Sequence, residues 1–172
     1  GTLAASGSAF PDGVPEGAGF MVLTEADGSQ AEAERLQGEL AEALGEDALG
    51  VRTPSSSRAV DELWRWRDGV PLAVSALRGE KVSEDIVVPI ERLREAIEET
   101  VAIGARHDLE ACSWGHAGDG NLHSTFLVDP DDTAGLERAR GAAEALFELA
   151  LRLGGSVSGE HGIGSVKRRG LA

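Results

Sequence analysis

Leu109-Glu110-Ala111-Cys112-Ser113-Trp114-Gly115-His116-Ala117-Gly118-Asp119-Gly120-Asn121-Leu122-His123-Ser124-Thr125-Phe126-Leu127-Val128 is the run around which the architecture can be built. Two strands, Leu109–Trp114 and Leu122–Val128, are expected here, with the glycines and Asp119 supplying the turn between them. Upstream, Ile90, Leu93, Ile97 and Val101 recur at helical spacing and mark a helix running to about Gly104. Before it, Asp85-Ile86-Val87-Val88-Pro89 reads as a strand that ends on proline. Downstream, Asp131–Leu153 is an Ala- and Leu-rich helix stopped by Gly154-Gly155.

Nearer the N-terminus the pattern continues. Residues 1–18 read as a lead-in rich in Gly, Pro, Ala and Ser, and the apolar run Gly19–Glu25 as a buried strand. Residues 30–44 place Ala31, Leu36, Leu40 and Leu44 on one helical face, and a short strand is expected near Leu49–Arg52. Ser55–Ser57 caps a helix through about Arg67, ended by Asp68-Gly69 and Pro71, while residues 72–80 fit no pattern. Short strands separated by helices, with one hairpin, predict an α+β fold. The expected form is an antiparallel sheet of ferredoxin-like type with helices packed on one face, a single domain over residues 19–172.

Composition limits the function. Thirty acidic against sixteen basic residues leave a net charge of −14, which repels nucleic acid and anionic lipid. The basic run Lys167-Arg168-Arg169 is too short to reverse that. Cys112 is the only cysteine, so neither an intrachain disulfide nor a cysteine zinc cluster is available, which suits a reducing cytoplasm. No apolar run approaches the ~18 residues of a membrane span, and the first residues lack the features of a signal peptide. Both ends, Gly1-Thr2-Leu3 and Gly170-Leu171-Ala172, read as cut, so a fragment is expected.

Three of the four histidines lie in two glycine-rich motifs, His116–His123 and Ser158-Gly159-Glu160-His161-Gly162-Ile163-Gly164. On a continuous strand His116 and His123 would diverge, but a fold-back at Gly118-Asp119-Gly120 brings both rings to one point. With Glu160 they make a His/His/Glu set that leaves coordination positions open, and zinc, iron and manganese all accept it. The plainer alternative is histidines that hydrogen-bond backbone in tight loops. Asp119 reads as a turn residue. Asn121 either tolerates a left-handed backbone or presents its amide to a ligand. Arg67 either clamps a substrate carboxylate or satisfies a helix end. The glycine order matches neither a dinucleotide fingerprint nor a P-loop.

Gly115–His123, then Gly155–Gly164 with Lys167, resemble the C-terminal domain of FAD-linked oxidases of the vanillyl-alcohol oxidase superfamily. That group includes glycolate oxidase subunits, D-lactate dehydrogenases and D-2-hydroxyglutarate dehydrogenases. Phe20–Glu25, Leu63-Trp64-Arg65-Trp66-Arg67 and Asp85–Pro89 agree in order, so the resemblance covers nearly all the chain from about residue 18. It implies a cap over a flavin, carrying much of the substrate pocket of a 2-hydroxy-acid dehydrogenase or oxidase. It further implies that His116, His123 and Glu160 bind a divalent metal in the members that use one, and that His161 takes the hydroxyl proton. Arg67 would grip the substrate carboxylate, and Asn121 and His161 would border substrate and flavin. The family's FAD-binding domain and its C-terminal tail are not in the sequence. The isolated chain is therefore expected to be inactive, and its uncovered face to favour self-association. A cytoplasmic location is expected, peripheral to the inner membrane if a partner holds it there. The alternatives are a free-standing metal-dependent hydrolase and an inactive binding module.

Overall fold

The computed structural model describes Thr2, Phe10 and residues 13–54, 56–79, 81–129, 131–164 and 167. Ser55 and most of the lead-in before residue 13 lie outside the described residues, as do Arg168 and Arg169 of the basic run. The chain divides into two compact units, Ala9–Arg67 and Asp68–Ala172 with Gly1–Ser8.

In the first unit, α1 spans Gln30–Gly45, in agreement with the helical spacing of residues 30–44. Glu32 accepts the Ser29 backbone N–H at 3.0 Å and so satisfies one open donor of the first turn. No residue of α1 is buried. The strands expected at 19–25 and 49–52 do not form, and Phe20, Val22, Leu49 and Val51 are exposed. The apolar composition is right for a strand, but a strand exists only when a neighbouring backbone pairs with it. Phe10 instead packs edge-on against Trp66, with ring centroids 4.9 Å apart.

The next helix, α2, spans Ser57–Arg78, with the Ala59 N–H donating to Ser56 Oγ at 3.3 Å as its cap. It does not stop at Asp68-Gly69; it runs through Pro71 and takes in most of the unassigned stretch. A proline inside a helix removes one backbone bond and costs stability. Here Val70 and Val74, on either side of it, are buried, and that packing overrides the local signal.

The second unit holds the sheet: β1 Lys81–Val87, β2 Glu110–His116 and β3 Asn121–Leu127, all antiparallel in the order β1-β3-β2. Helix α3, Leu93–Arg106, follows the 3-10 turn Ile90–Arg92, and α4 spans Gly135–Arg152. The β-α-β-β-α order with β3 central is that of a ferredoxin-like sandwich. Past α4, Ser156 forms an antiparallel bridge to Val87 on the free side of β1, where that architecture carries its fourth strand. The expected α+β fold therefore holds, with β1 starting four residues earlier than the Asp85 expected from sequence.

Period-2 alternation divides the work of the sheet. Ile86, Leu122 and Phe126 point into a core closed by Ala96 and Ile103 of α3 and Ala139, Ala142, Leu146, Leu149 and Ala150 of α4. The opposite face carries Ser83, Asp85, Trp114, His116, Asn121, His123 and Thr125. The alanines of α4 allow that helix to approach closely.

Arg138 ties α4 to the turn after α3: its guanidinium pairs with Asp132, and its Nε donates to the His107 carbonyl at 3.0 Å. Arg140 meets the exposed Glu137. Arg138→Ala should therefore lower the melting temperature clearly more than Arg140→Ala, measured side by side by circular dichroism. Among the described residues no helix is long and apolar enough to cross a membrane.

Candidate metal and proton-transfer site

The hairpin explains how two histidines seven residues apart meet. His116 ends β2 opposite Asn121, and His123 lies two residues further along β3 opposite Trp114, so both rings share one face. A 3-10 turn at Ala117–Asp119 reverses the chain and Gly120 completes it with φ +69°. A side chain at Gly120 would also run into the Val88 carbonyl, so that position needs glycine twice over. The rings of His116 and His123 stand edge to face, 5.8 Å apart. His161 stacks on His123 at 5.2 Å.

Glu160 reaches both hairpin histidines. Its Oε1 is 3.4 Å from His116 Nε2 and its Oε2 is 3.8 Å from His123 Nε2. Donor atoms of the three residues lie within 4.8 Å of one another. Of these side chains His123 is nearly buried, at 11% exposed, whereas Glu160 is 48% exposed, so the cluster has a closed floor and an open mouth. Burial pushes the His123 imidazole below its ordinary pKa, aided by His161 and His116 and opposed by Glu160 and Asp85. A neutral imidazole is the form that ligates a metal.

The loop bearing Glu160 and His161 is fastened to the sheet at two points. Ser156 exchanges backbone bonds with Val87 of 3.0 and 2.8 Å. Further on, Asp85 on β1 takes the N–H groups of Gly159, Glu160 and His161 onto Oδ2, at 2.6, 2.6 and 3.1 Å. Lys167 donates to Asp85 Oδ1 at 2.5 Å. Burial works to raise the Asp85 pKa, but the Lys167 bond and the three backbone N–H bonds outweigh it and hold the carboxyl far below the usual range. His161 Nδ1 faces Asp85 Oδ1 at 3.6 Å, beyond hydrogen-bond reach.

The residues singled out from sequence fall into two groups. His116, His123, Glu160 and His161 come together, and Asn121 sits on the same sheet face, 3% exposed. Its Oδ1 is buried with no partner among the described residues. Arg67 lies in α2, partly buried, in the other compact unit. Asp85 reads from sequence only as the start of a strand, and nothing in that reading assigns it a part in the site. The available signal is an acid beside an apolar run, since a buried carboxylate needs a partner.

A family model described as FAD linked oxidases, C-terminal domain, matches residues 2–172. The chain is 34% identical over 157 residues to the glycolate oxidase subunit GlcD of Bacillus subtilis, covering 90% of this chain and 33% of that protein. It is 40% identical over 108 residues to a probable mitochondrial D-lactate dehydrogenase of Danio rerio, covering 62% and 22%. With a D-2-hydroxyglutarate dehydrogenase of Xanthomonas citri it shares 35% over 124 residues, 69% of this chain and 25% of that one. It thus spans a third or less of the curated relatives it matches. With a match along essentially its whole length and this arrangement of elements, the chain belongs to the FAD-linked oxidase C-terminal domain family.

Proposed function

We propose that residues 19–172 form the substrate- and metal-binding cap of an FAD-dependent dehydrogenase or oxidase. It would convert a 2-hydroxy acid of glycolate or D-lactate type into the 2-oxo acid, acting in the cytoplasm with a separate FAD-binding domain. The observation that carries this reading is the convergence of His116, His123 and Glu160, with His161 stacked alongside, on one face of this family's sheet. Tetrahedral coordination with bonds near 2.1 Å spaces its donors by roughly 3.4 Å. The Glu160–His116 and Glu160–His123 separations of 3.4 and 3.8 Å fit that requirement closely. Two imidazole nitrogens and one carboxylate oxygen suit zinc, iron or manganese and leave room for a substrate oxygen.

When bound, the metal would supply Lewis acidity that lowers the pKa of the 2-hydroxyl, and the flavin would supply the acceptor for the α-hydrogen as hydride. The chain's own residues do the rest. His161 Nδ1 is turned to Asp85, so Nε2 is the atom that receives the hydroxyl proton. Asn121 Oδ1, buried and without a partner among the described residues, is an acceptor for a donor on substrate or flavin. Arg67, by resemblance, holds the substrate carboxylate, and its planar fork suits bidentate binding. Without an FAD-binding domain the chain is expected to be inactive, and the face left uncovered to favour homo-oligomers.

Elemental analysis of the purified chain tests the metal reading. Near-stoichiometric zinc, iron or manganese is expected, and His116→Ala and Glu160→Ala should each strip it while the fold survives. A metal-free wild-type chain after incubation with each of these ions sinks this part of the reading.

A further inference from the structure

We infer that Asp85 is a positioning residue: it holds the Glu160-His161 loop over the hairpin, so that Glu160 is presented to His116 and His123 before any ligand arrives. This rests on the reading of those three side chains as a metal site.

The argument begins with the loop itself. Ser158–Gly164 holds three glycines, and Glu160, His161 and Gly162 are exposed. Between the Ser156–Val87 pairing before it and the partly buried Ile163 after it, the backbone of Gly159–His161 is held by one carboxylate oxygen. Asp85 Oδ2 accepts three successive backbone N–H groups, a nest of the kind that backbone forms around an anion. Ser158 Oγ adds longer bonds of 3.3 and 3.4 Å. Asp85 is itself fully buried and lies directly opposite His123 in the β1–β3 register. The pairing that sets His123 therefore also sets the anchor of Glu160. Lys167 answers the remaining oxygen, and its Nζ also meets the Asp85 carbonyl at 3.0 Å and Glu84 at 3.3 Å.

A buried ion pair is weak evidence of stabilisation, since apolar replacements of similar volume often match it. Its position offers a better account. Groups that orient metal ligands from behind affect affinity by roughly 10–100-fold when removed.

The test uses cobalt(II) as probe, with affinity and visible ligand-field spectrum recorded for the wild-type chain, Asp85→Asn, and the double variant Asp85→Leu/Lys167→Met. The double variant removes both buried charges, so it is expected to keep the fold even where Asp85→Asn, which leaves Lys167 facing an amide, does not. Amide hydrogen exchange at Gly159, Glu160 and His161 is followed in parallel, with the β3 amides as internal reference. Expected are cobalt affinity weakened at least tenfold, an altered spectrum, and faster exchange confined to the loop. Unchanged affinity and spectrum in a folded double variant overturn the proposal, as do loop amides that stay as protected as in wild type. A wild-type chain that takes up no cobalt overturns the metal reading instead, and the exchange measurement then decides by itself whether Asp85 positions the loop.

Discussion

Replacing His161 by Ala, in a flavoprotein that carries this cap as proposed, should lower kcat/KM for a 2-hydroxy acid by about 10²- to 10⁴-fold, the usual range for removing a positioned acid–base group. His161 stacks on His123 and its Nδ1 faces Asp85, which in the proposed reading leaves Nε2 for the substrate. In the proposed metal site Glu160 and His116 are ligands, so neither would take over its part. The measurement is stopped-flow reduction of the flavin by substrate, with flavin content and metal content determined on the same preparation. Loss confined to the reduction step, with both contents unchanged, is the expected result. A variant within tenfold of wild type would show that the hydroxyl proton leaves through another group.

The largest structural effect should come from Gly120. This residue has φ +69°, and a Cβ placed there would meet the Val88 carbonyl. The contact is part of the fold, because the Val88 N–H donates to the Gly120 carbonyl at 3.0 Å. A left-handed backbone costs a side-chain-bearing residue ~1–2 kcal/mol, and forced overpacking adds ~1–3 kcal/mol. Gly120→Ala should therefore destabilise the chain by about 3 kcal/mol in urea unfolding, and it should loosen the hairpin that sets His116 against His123. Gly118, two residues away, provides the contrast: a Cβ added there would have nothing within 4 Å, and its φ is ordinary. Gly118→Ala should stay within about 0.5 kcal/mol of wild type. Equal effects at the two positions would mean that the turn, rather than the Val88 contact, sets the cost.

Where local pattern and tertiary demand coincide, the chain is legible. The hairpin, α3 and α4 each carry their own periodicity and their own turn or stop signals, and each forms within a few residues of expectation. Where they part, local signals mislead. Gly19–Glu25 has strand composition and no partner strand among the described residues. Pro71 carries a stop signal inside a helix held on either side by buried Val70 and Val74. The candidate site divides in the same way: His116, His123, Glu160 and His161 stand out because histidines are few here and sit among glycines.

The chemical inventory, and the hairpin that joins half of it, can be read from the linear chain because residue type and turn geometry are local properties. How the second half arrives is a matter of tertiary structure. Asp85 and Glu160 are far apart in the chain, and nothing in the spacing of either says that a buried carboxylate on β1 will collect the N–H groups of Gly159, Glu160 and His161. That contact follows from the register of β1 on β3 and from the Val87–Ser156 bridge, which are long-range pairings. Such pairings depend on which surfaces can be buried together, and burial is a property of the whole fold rather than of any segment.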